Sequence, residues 1–452
     1  MSESDSGRQL GFWMCLALVV GSVIGSGIFL LPSQLAPFGW NSLIGWLVTI
    51  SGALCLAYLF GRLAKALPLA GGPYAYVGEA FGPLPAFVVA WAYWVSIWAG
   101  NAAIAIAAVS YLSLFIPGLA SMPGAGAVTA IAILWSLTAI NCISVRAGGR
   151  FQMATVAIKL VPLAVVIVIA AVIVGTGEPT AAPTFNKEEI SLSSINAAAA
   201  LTLWAMLSFE VAAVSSRNVR DPARTIPRAT IIGTLVAGLI YLLVATPVTL
   251  FLPQSEVAAS NAPFALFVGH YWSPTFGNLI GLFAAISAIG ALNGLTLVQG
   301  EMPLAMARDG TFPKWFAKTT ANGVALRAQL LSTGLATLLV ASNFSRSVSG
   351  LFAFMALLST AATLILYLSC ALAAGRLQLR GRLGGPWIVL PIVALASIYS
   401  MWTLYGAGTE PIAWGALLLI IGIPVYFGMR LNSLWSSPAP AAAQTSPPES
   451  SP

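Results

Sequence analysis

The sequence predicts an all-α polytopic membrane protein of about twelve transmembrane helices, arranged as a five-plus-five inverted repeat with helices one and six discontinuous. Three observations carry that expectation. Charged residues make up 7% of the 452 positions and hydrophobic ones 58%, and mean hydropathy is +0.90, far from the balance of a soluble domain. Apolar segments of the ~20 residues needed to cross a bilayer recur along the chain with short connections. The first and sixth of these segments are each interrupted, and paired interruptions at corresponding places point to an inverted repeat with a site at mid-membrane.

In order, the spans read 10–35, 40–66, 83–115, 125–144, 150–175, 193–216, 226–252, 276–305, 326–343, 348–375, 386–405 and 410–430. One membrane domain therefore fills 10–431, preceded by a short cytoplasmic stretch, 1–9. A Pro/Ser/Ala-rich tail, 432–452, follows it and is expected to be disordered and cytoplasmic. The first span is too long and too glycine-broken for a cleaved signal peptide. Between spans seven and eight, SNAPFALFVGHY reads as a short helix outside the membrane and carries the single histidine, His270. Cys15, Cys55, Cys142 and Cys370 sit in apolar segments without metal-like spacing and read as packing residues.

The net charge of +7 is explained by where the cations fall. With the N-terminus inside, Arg8, Arg62, Lys65, Arg146, Arg150, Arg217, Arg220, Arg224, Arg228, Arg308, Lys314, Lys318, Arg327, Arg376, Arg380, Arg382 and Arg430 all lie on the cytoplasmic side. Lys187 and Arg346 alone lie outside. That asymmetry places both termini in the cytoplasm and supports an even number of spans in the cytoplasmic (inner) membrane. Nucleic acid is not an expected partner.

The first interruption is GSVIGSGIFLLP, residues 21–32. An unwound patch at mid-depth is tolerated only where its freed backbone groups face protein, water or a ligand. With Gly25, Ser26 and Gly27 out of helical geometry, free N–H groups and the start of the resumed helix would form a cradle for an anion such as a carboxylate. A small-residue packing face would be written in the same letters.

The second interruption lies in SSINAAAALTLWAMLSFEVAAVSSR, where Glu210 stands inside an apolar run. An acidic group within a span is costly and marks an ion or proton pathway by default. Lys159 is the only basic residue deep in a span, nine positions after Arg150 or roughly 13 Å along a helix. An ammonium there can tie two helices together as a bound cation would, or release a proton during a cycle. In span three, Tyr93, Ile97 and Asn101 recur at i, i+4 and i+8, which directs the Asn101 amide toward the same cavity as Tyr93. Trp204 sits beside the second break, and Asn293 is a buried amide of span eight that needs a partner, either another helix or the substrate.

No HExxH, nucleophile elbow or phosphate loop occurs, which argues against an enzyme; no cofactor and no metal are expected. No repeated pore loop or ring of charge suggests a channel.

Five segments together resemble the amino acid–polyamine–organocation (APC) superfamily: GSVIGSGIFLLPSQLA, PLAGGPYAYVGEAFGPLPAF, YWVSIWAGN, LTLWAMLSFEVAAVSSRNVRDPARTIPRA and MARDGTFPKWFAK. The similarity is greatest to its basic amino acid/polyamine antiporters, of the arginine/agmatine exchanger type. It implies a LeuT-like fold and a homodimer. It also implies that the substrate carboxylate meets Ser26 and Gly27, and that the α-amino group meets carbonyls near Val23, Trp204 and Leu207. Trp204 would gate the site, Asn101 would touch the substrate, Tyr93 would close the cytoplasmic side and Glu210 would respond to protons.

Two positions depart from the exchanger. Leu295, in NGLTLVQGE, stands where the exchanger carries a tryptophan that stacks on the guanidinium. FQMATVAIKLVPL, with Lys159, is more similar to sodium-independent neutral and broad-range permeases, where a lysine stands in for sodium. The expected function is a secondary active amino-acid transporter, an amino acid or amino acid/amine antiporter working by alternating access. Proton-coupled, sodium-independent uptake of neutral amino acids is the alternative, and a transport-incompetent amino-acid sensor is a third reading. The expected partners are a small amino acid or amine, protons and the lipid bilayer.

Overall fold

The computed structural model describes residues 11–67, 72–143, 158–211, 219–384 and 386–435. In these residues the chain forms helices and short 3-10 turns, with no strand. The first span is α1 (Phe12–Val23), a 3-10 turn (Ser26–Ile28) and α2 (Leu31–Leu35). There follow α3 (Trp40–Ala66), α4 (Pro73–Phe81), α5 (Pro83–Leu112), α6 (Gly118–Ser121), α7 (Ala125–Ile143) and α8 (Leu160–Thr176). The second half runs α9 (Leu192–Met206), α10 (Pro222–Leu250), α11 (Gln254–Ala259), α12 (Pro263–Tyr271), α13 (Pro274–Arg308), α14 (Leu326–Ser342), α15 (Val348–Leu379), α16 (Val389–Gly406) and α17 (Thr409–Trp435).

Among the described residues 8 helices are long and apolar enough to cross a membrane, and α1, α8, α9 and α14 are shorter apolar helices. Together they occupy the twelve expected spans. Two of the short ones, α1 and α9, are short because each stops at one of the interruptions read from the sequence. The chain is thus a multi-pass, all-α membrane protein.

Span three, α5, is the central post. Its apolar stretch is 94% buried, against 28% for α16 and 11% for α17, which form the outer flank. Its Ala, Gly and Ser content explains this position, because small side chains let neighbouring helices approach on all sides. Close approach recurs elsewhere: a Cβ on Gly233 of α10 would come within 2.7 Å of Val19 in α1, and one on Gly45 of α3 within 2.8 Å of Ala198 in α9.

The helix pairings repeat with a shift of five spans. Span one packs on seven (α1 on α10) and span six on two (α9 on α3); span three packs on four (α5 on α7) and eight on nine (α13 on α14). The pairings of two with seven and three with eight map onto themselves. Each crossing reverses the chain, so an odd shift relates helices of opposite direction, and the repeat is an inverted one.

The short helix expected in residues 260–271 is α12, opened by Pro263 at its first position, and α11 precedes it. His270 lies exposed in the last turn of α12. The last span continues to Trp435, past the expected boundary at 431. Residues 1–9 and the tail beyond 435 lie outside the described residues.

Candidate substrate site

The break in span one begins where a continuing helix would bond the Gly25 N–H to the Gly21 carbonyl. Instead the Gly25 N–H turns to the Val23 carbonyl at 2.6 Å and to the Tyr241 hydroxyl at 3.1 Å. The same hydroxyl, from α10, donates to the Val23 carbonyl at 2.6 Å. Tyr241 is fully buried, so one side chain satisfies both a donor and an acceptor released by the unwinding.

That rearrangement leaves the Gly21 carbonyl without its helical partner, and Lys159 takes it. The Lys159 ammonium donates to Gly21 O at 2.6 Å and is 6% exposed. Its position at the C-terminal end of α1 is also where the helix dipole favours a cation. Spans five and one are thereby tied together just before the break.

In span six, α9 ends at Met206. Leu207 is extended (ψ 162°), and Ser208 takes φ +78°, a left-handed conformation that few non-glycine residues adopt. The chain then turns through Phe209 and Glu210. Glu210 is 1% exposed; its Oε1 accepts from the Tyr93 hydroxyl at 2.9 Å and its Oε2 from the Tyr367 hydroxyl at 2.8 Å. Spans three and ten thus grip the carboxyl group of span six. Phe209 stacks on Tyr367 at 4.8 Å and Phe60 closes on both rings edge-on, which holds the clamp against the turn.

Trp204, in the last turn of α9, fills the space between the two breaks. A Cβ on Gly27 would lie 2.6 Å from its Nε1, and one on Gly100 would lie 3.2 Å from the far edge of the ring. Gly27 therefore has to be glycine for the indole to lie where it does, and a side chain at Gly100 would press on the ring. The indole N–H is buried and makes no hydrogen bond among the described residues.

These elements enclose a cavity of about 370 Å³. Val23, Gly25, Gly27, Tyr93, Lys159, Trp204, Leu207, Glu210, Asn293 and Leu295 all line it, drawn from spans one, three, five, six and eight. Ser359 and Thr363 of α15 add span ten. The side chain of Ser26 lies outside the described residues.

Asn101 does not line this cavity. On a helix, i+8 lies about 80° round from i, whereas i+7 lies only about 20° away. Gly100, seven residues after Tyr93, accordingly faces the cavity together with Ser96, Ile97 and Ile104. Asn101 points behind the wall, where its Nδ2 donates to Gln299 Oε1 at 2.7 Å. Gln299 continues the chain of bonds by donating to Thr333 Oγ1 at 2.8 Å. Asn293 also has a partner behind the wall, accepting from Asn141 Nδ2 at 2.9 Å.

Tyr241, Tyr367 and Gln299 are among the polar residues that sequence reading did not single out. The available signal was a hydroxyl or amide inside an apolar run, which needs a partner when buried.

The lining drawn from spans three and eight is mostly apolar, with Ile97, Ile104, Leu295, Leu297 and Val298. The cavity thus combines released backbone carbonyls, one carboxyl group, one ammonium and a largely apolar lining from these two spans. That set can bind a small zwitterion or amine end-on and leave its side chain against hydrocarbon.

A family model described as amino acid permease matches residues 10–435 of the chain. The cadaverine/lysine antiporter of Escherichia coli K12 is 36% identical over 336 residues, 73% of each chain. The putrescine transporter PotE of Haemophilus influenzae is 30% identical over 433 residues, covering 94% of this chain and 97% of that protein. PotE of Escherichia coli K12 is 28% identical over 434 residues with the same coverage.

Proposed function

We propose that this chain, which belongs to the amino acid permease family, exchanges an amino acid for another amino acid or for an amine by alternating access around the cavity between its two broken helices. The observation that carries this reading is the meeting of both breaks at one cavity, with Trp204 packed against Gly27 and Gly100. The amino group goes to the C-terminal ends of α1 and α9, near Val23, Trp204 and Leu207, where the helix dipoles favour a cation. The carboxylate goes to the N–H groups of Ser26 and Gly27, where the chain resumes after the first break. Trp204 covers the bound molecule, and Tyr93 closes the cytoplasmic side. Glu210, held by two hydroxyls that can donate or accept, is the group that exchanges a proton with the cycle. The protein resides in the cytoplasmic membrane with both termini inside, a reading that the distribution of cations supports.

Lysine with cadaverine, and putrescine, are the first substrates to test, given the relatives named above. A second reading has its own support. The lining from spans three and eight carries Leu295 and branched aliphatics and offers no second carboxylate for a distal ammonium, which favours neutral amino acids and proton-coupled uptake.

Counterflow in proteoliposomes separates the two. Exchange predicts that internal lysine, cadaverine, putrescine or a neutral amino acid accelerates entry of labelled amino acid. The antiporter reading fails when none of them does. Uptake that needs no internal substrate and follows an imposed pH gradient establishes the symporter, and binding without movement establishes a sensor.

A further inference from the structure

The segment MARDGTFPKWFAK, after span eight, takes no part in the substrate site. It lines a cavity of about 1010 Å³, together with the start of α5 and the end of α17. The walls of this groove are aromatic. Phe87 lies 5.8 Å from Phe312 and 5.3 Å from Tyr426, ring to ring. Two cations, Lys314 and Arg430, stand on the same lining and are exposed. Arg430 lies over the Tyr426 ring at 5.5 Å. The one carboxylate of the lining, Asp309, accepts from the Tyr74 hydroxyl at 2.9 Å. Trp315, 48% exposed, stands at the rim.

We infer that this groove binds an anionic phospholipid of the inner leaflet, with the phosphate between Lys314 and Arg430 and an acyl chain along Phe87, Phe312 and α17. Charge complementarity and position both select this occupant. The groove opens at the ends of membrane helices beside α17, the least buried span, where acyl chains reach it directly. Lysine and arginine next to a membrane helix attract anionic headgroups. An exposed tryptophan at the rim suits the headgroup level. The choice of leaflet rests on the orientation proposed above; the groove itself does not depend on the transported substrate.

The test is native mass spectrometry of the full chain released from nanodiscs of mixed phosphatidylglycerol and phosphatidylcholine. Phosphatidylglycerol is expected to be retained over phosphatidylcholine by about tenfold or more. Lys314→Gln with Arg430→Gln removes the charges and is expected to abolish that preference. Gly428→Trp tests the groove separately: Gly428 lines it, and a Cβ there meets nothing within 4 Å, so the indole fills the groove without disturbing the helix. It is expected to reduce retained phosphatidylglycerol severalfold with the melting temperature and counterflow unchanged. Equal retention of the two lipids overturns the inference, as does unchanged retention in either variant. So does an equal loss in an Arg380→Gln/Arg382→Gln control. Retention that appears only after deletion of residues 436–452 also overturns it, because the tail would then be the occupant. A failure of counterflow with every substrate would remove the transport reading and leave these lipid outcomes standing.

Discussion

The Lys159 ammonium reaches the Gly21 carbonyl at 2.6 Å, the acceptor that the first break sets free. A carbonyl released inside a membrane needs a donor, and here the donor comes from span five. Replacement by Lys159→Met keeps the length and removes the donor. Leaving a buried acceptor unpaired costs about 1–3 kcal/mol, so the melting temperature in detergent should fall and uptake should drop to a small fraction of the parent. Lys159→Arg should not restore uptake, because a planar fork does not fit a site shaped for a single ammonium. Full activity in Lys159→Met would remove the tie between spans five and one from the mechanism.

Tyr241 is the corresponding strut on the other side of the break. Tyr241→Phe keeps the ring against Trp46 and deletes the hydroxyl that serves both Gly25 and Val23. The expected result is a stability loss of about 1–3 kcal/mol and weaker substrate binding in an equilibrium assay, since the freed backbone must be reordered for each substrate. A variant with unchanged melting and unchanged affinity would show that the break holds its shape without it.

Much of this arrangement was legible in the sequence, for reasons that differ by residue. The spans were readable because bilayer crossing imposes a length of apolar chain that few other structures share. Gly25, Gly27, Glu210 and Lys159 were readable because each is costly in a membrane helix and so advertises a role. Tyr241 and Tyr367 were not, because a tyrosine in an apolar run looks like packing until its hydroxyl is given a partner from a distant helix. Asn101 shows the limit of periodicity: eight residues on, the accumulated rotation carries it off the face that Tyr93 defines, and Gly100 holds that place with no side chain to announce it.

Glu210 accepts from two tyrosines, so its charge state and the clamp are coupled. Glu210→Gln keeps the size and one acceptor and removes the ability to change charge. Transport measured from pH 5 to 8 should lose its pH dependence, while Tyr367→Phe should keep a pH-dependent profile at lower rate. A parent-like profile in Glu210→Gln would end the proton role of this residue.

Gly27 and Trp204 should behave as one unit. A methyl group at Gly27 would sit 2.6 Å from the indole nitrogen, which forces the ring to move. Overpacking of this kind costs about 1–3 kcal/mol. Gly27→Ala should therefore abolish exchange, and adding Trp204→Phe should recover part of it by making room. Additive losses in the double variant would mean that the two residues act separately.

The side-chain preference of the transporter should be set in span eight, at Leu295. The breaks read the amino and carboxyl groups that all amino acids share, so they do not choose among side chains. The lining from spans three and eight does, and in this chain it is aliphatic at Ile97, Ile104, Leu295 and Val298. An ammonium placed there loses water without gaining a charged or aromatic partner. Leu295→Trp supplies an aromatic face, and a cation over such a face gains about 0.5–2 kcal/mol. Competition binding should then show lysine and cadaverine gaining about 2- to 30-fold in affinity. Leucine should gain nothing, since the added ring only takes space from an aliphatic side chain. Equal or weaker binding of the cationic ligands would place the selecting contacts elsewhere in the cavity, with Glu210 the next residue to test.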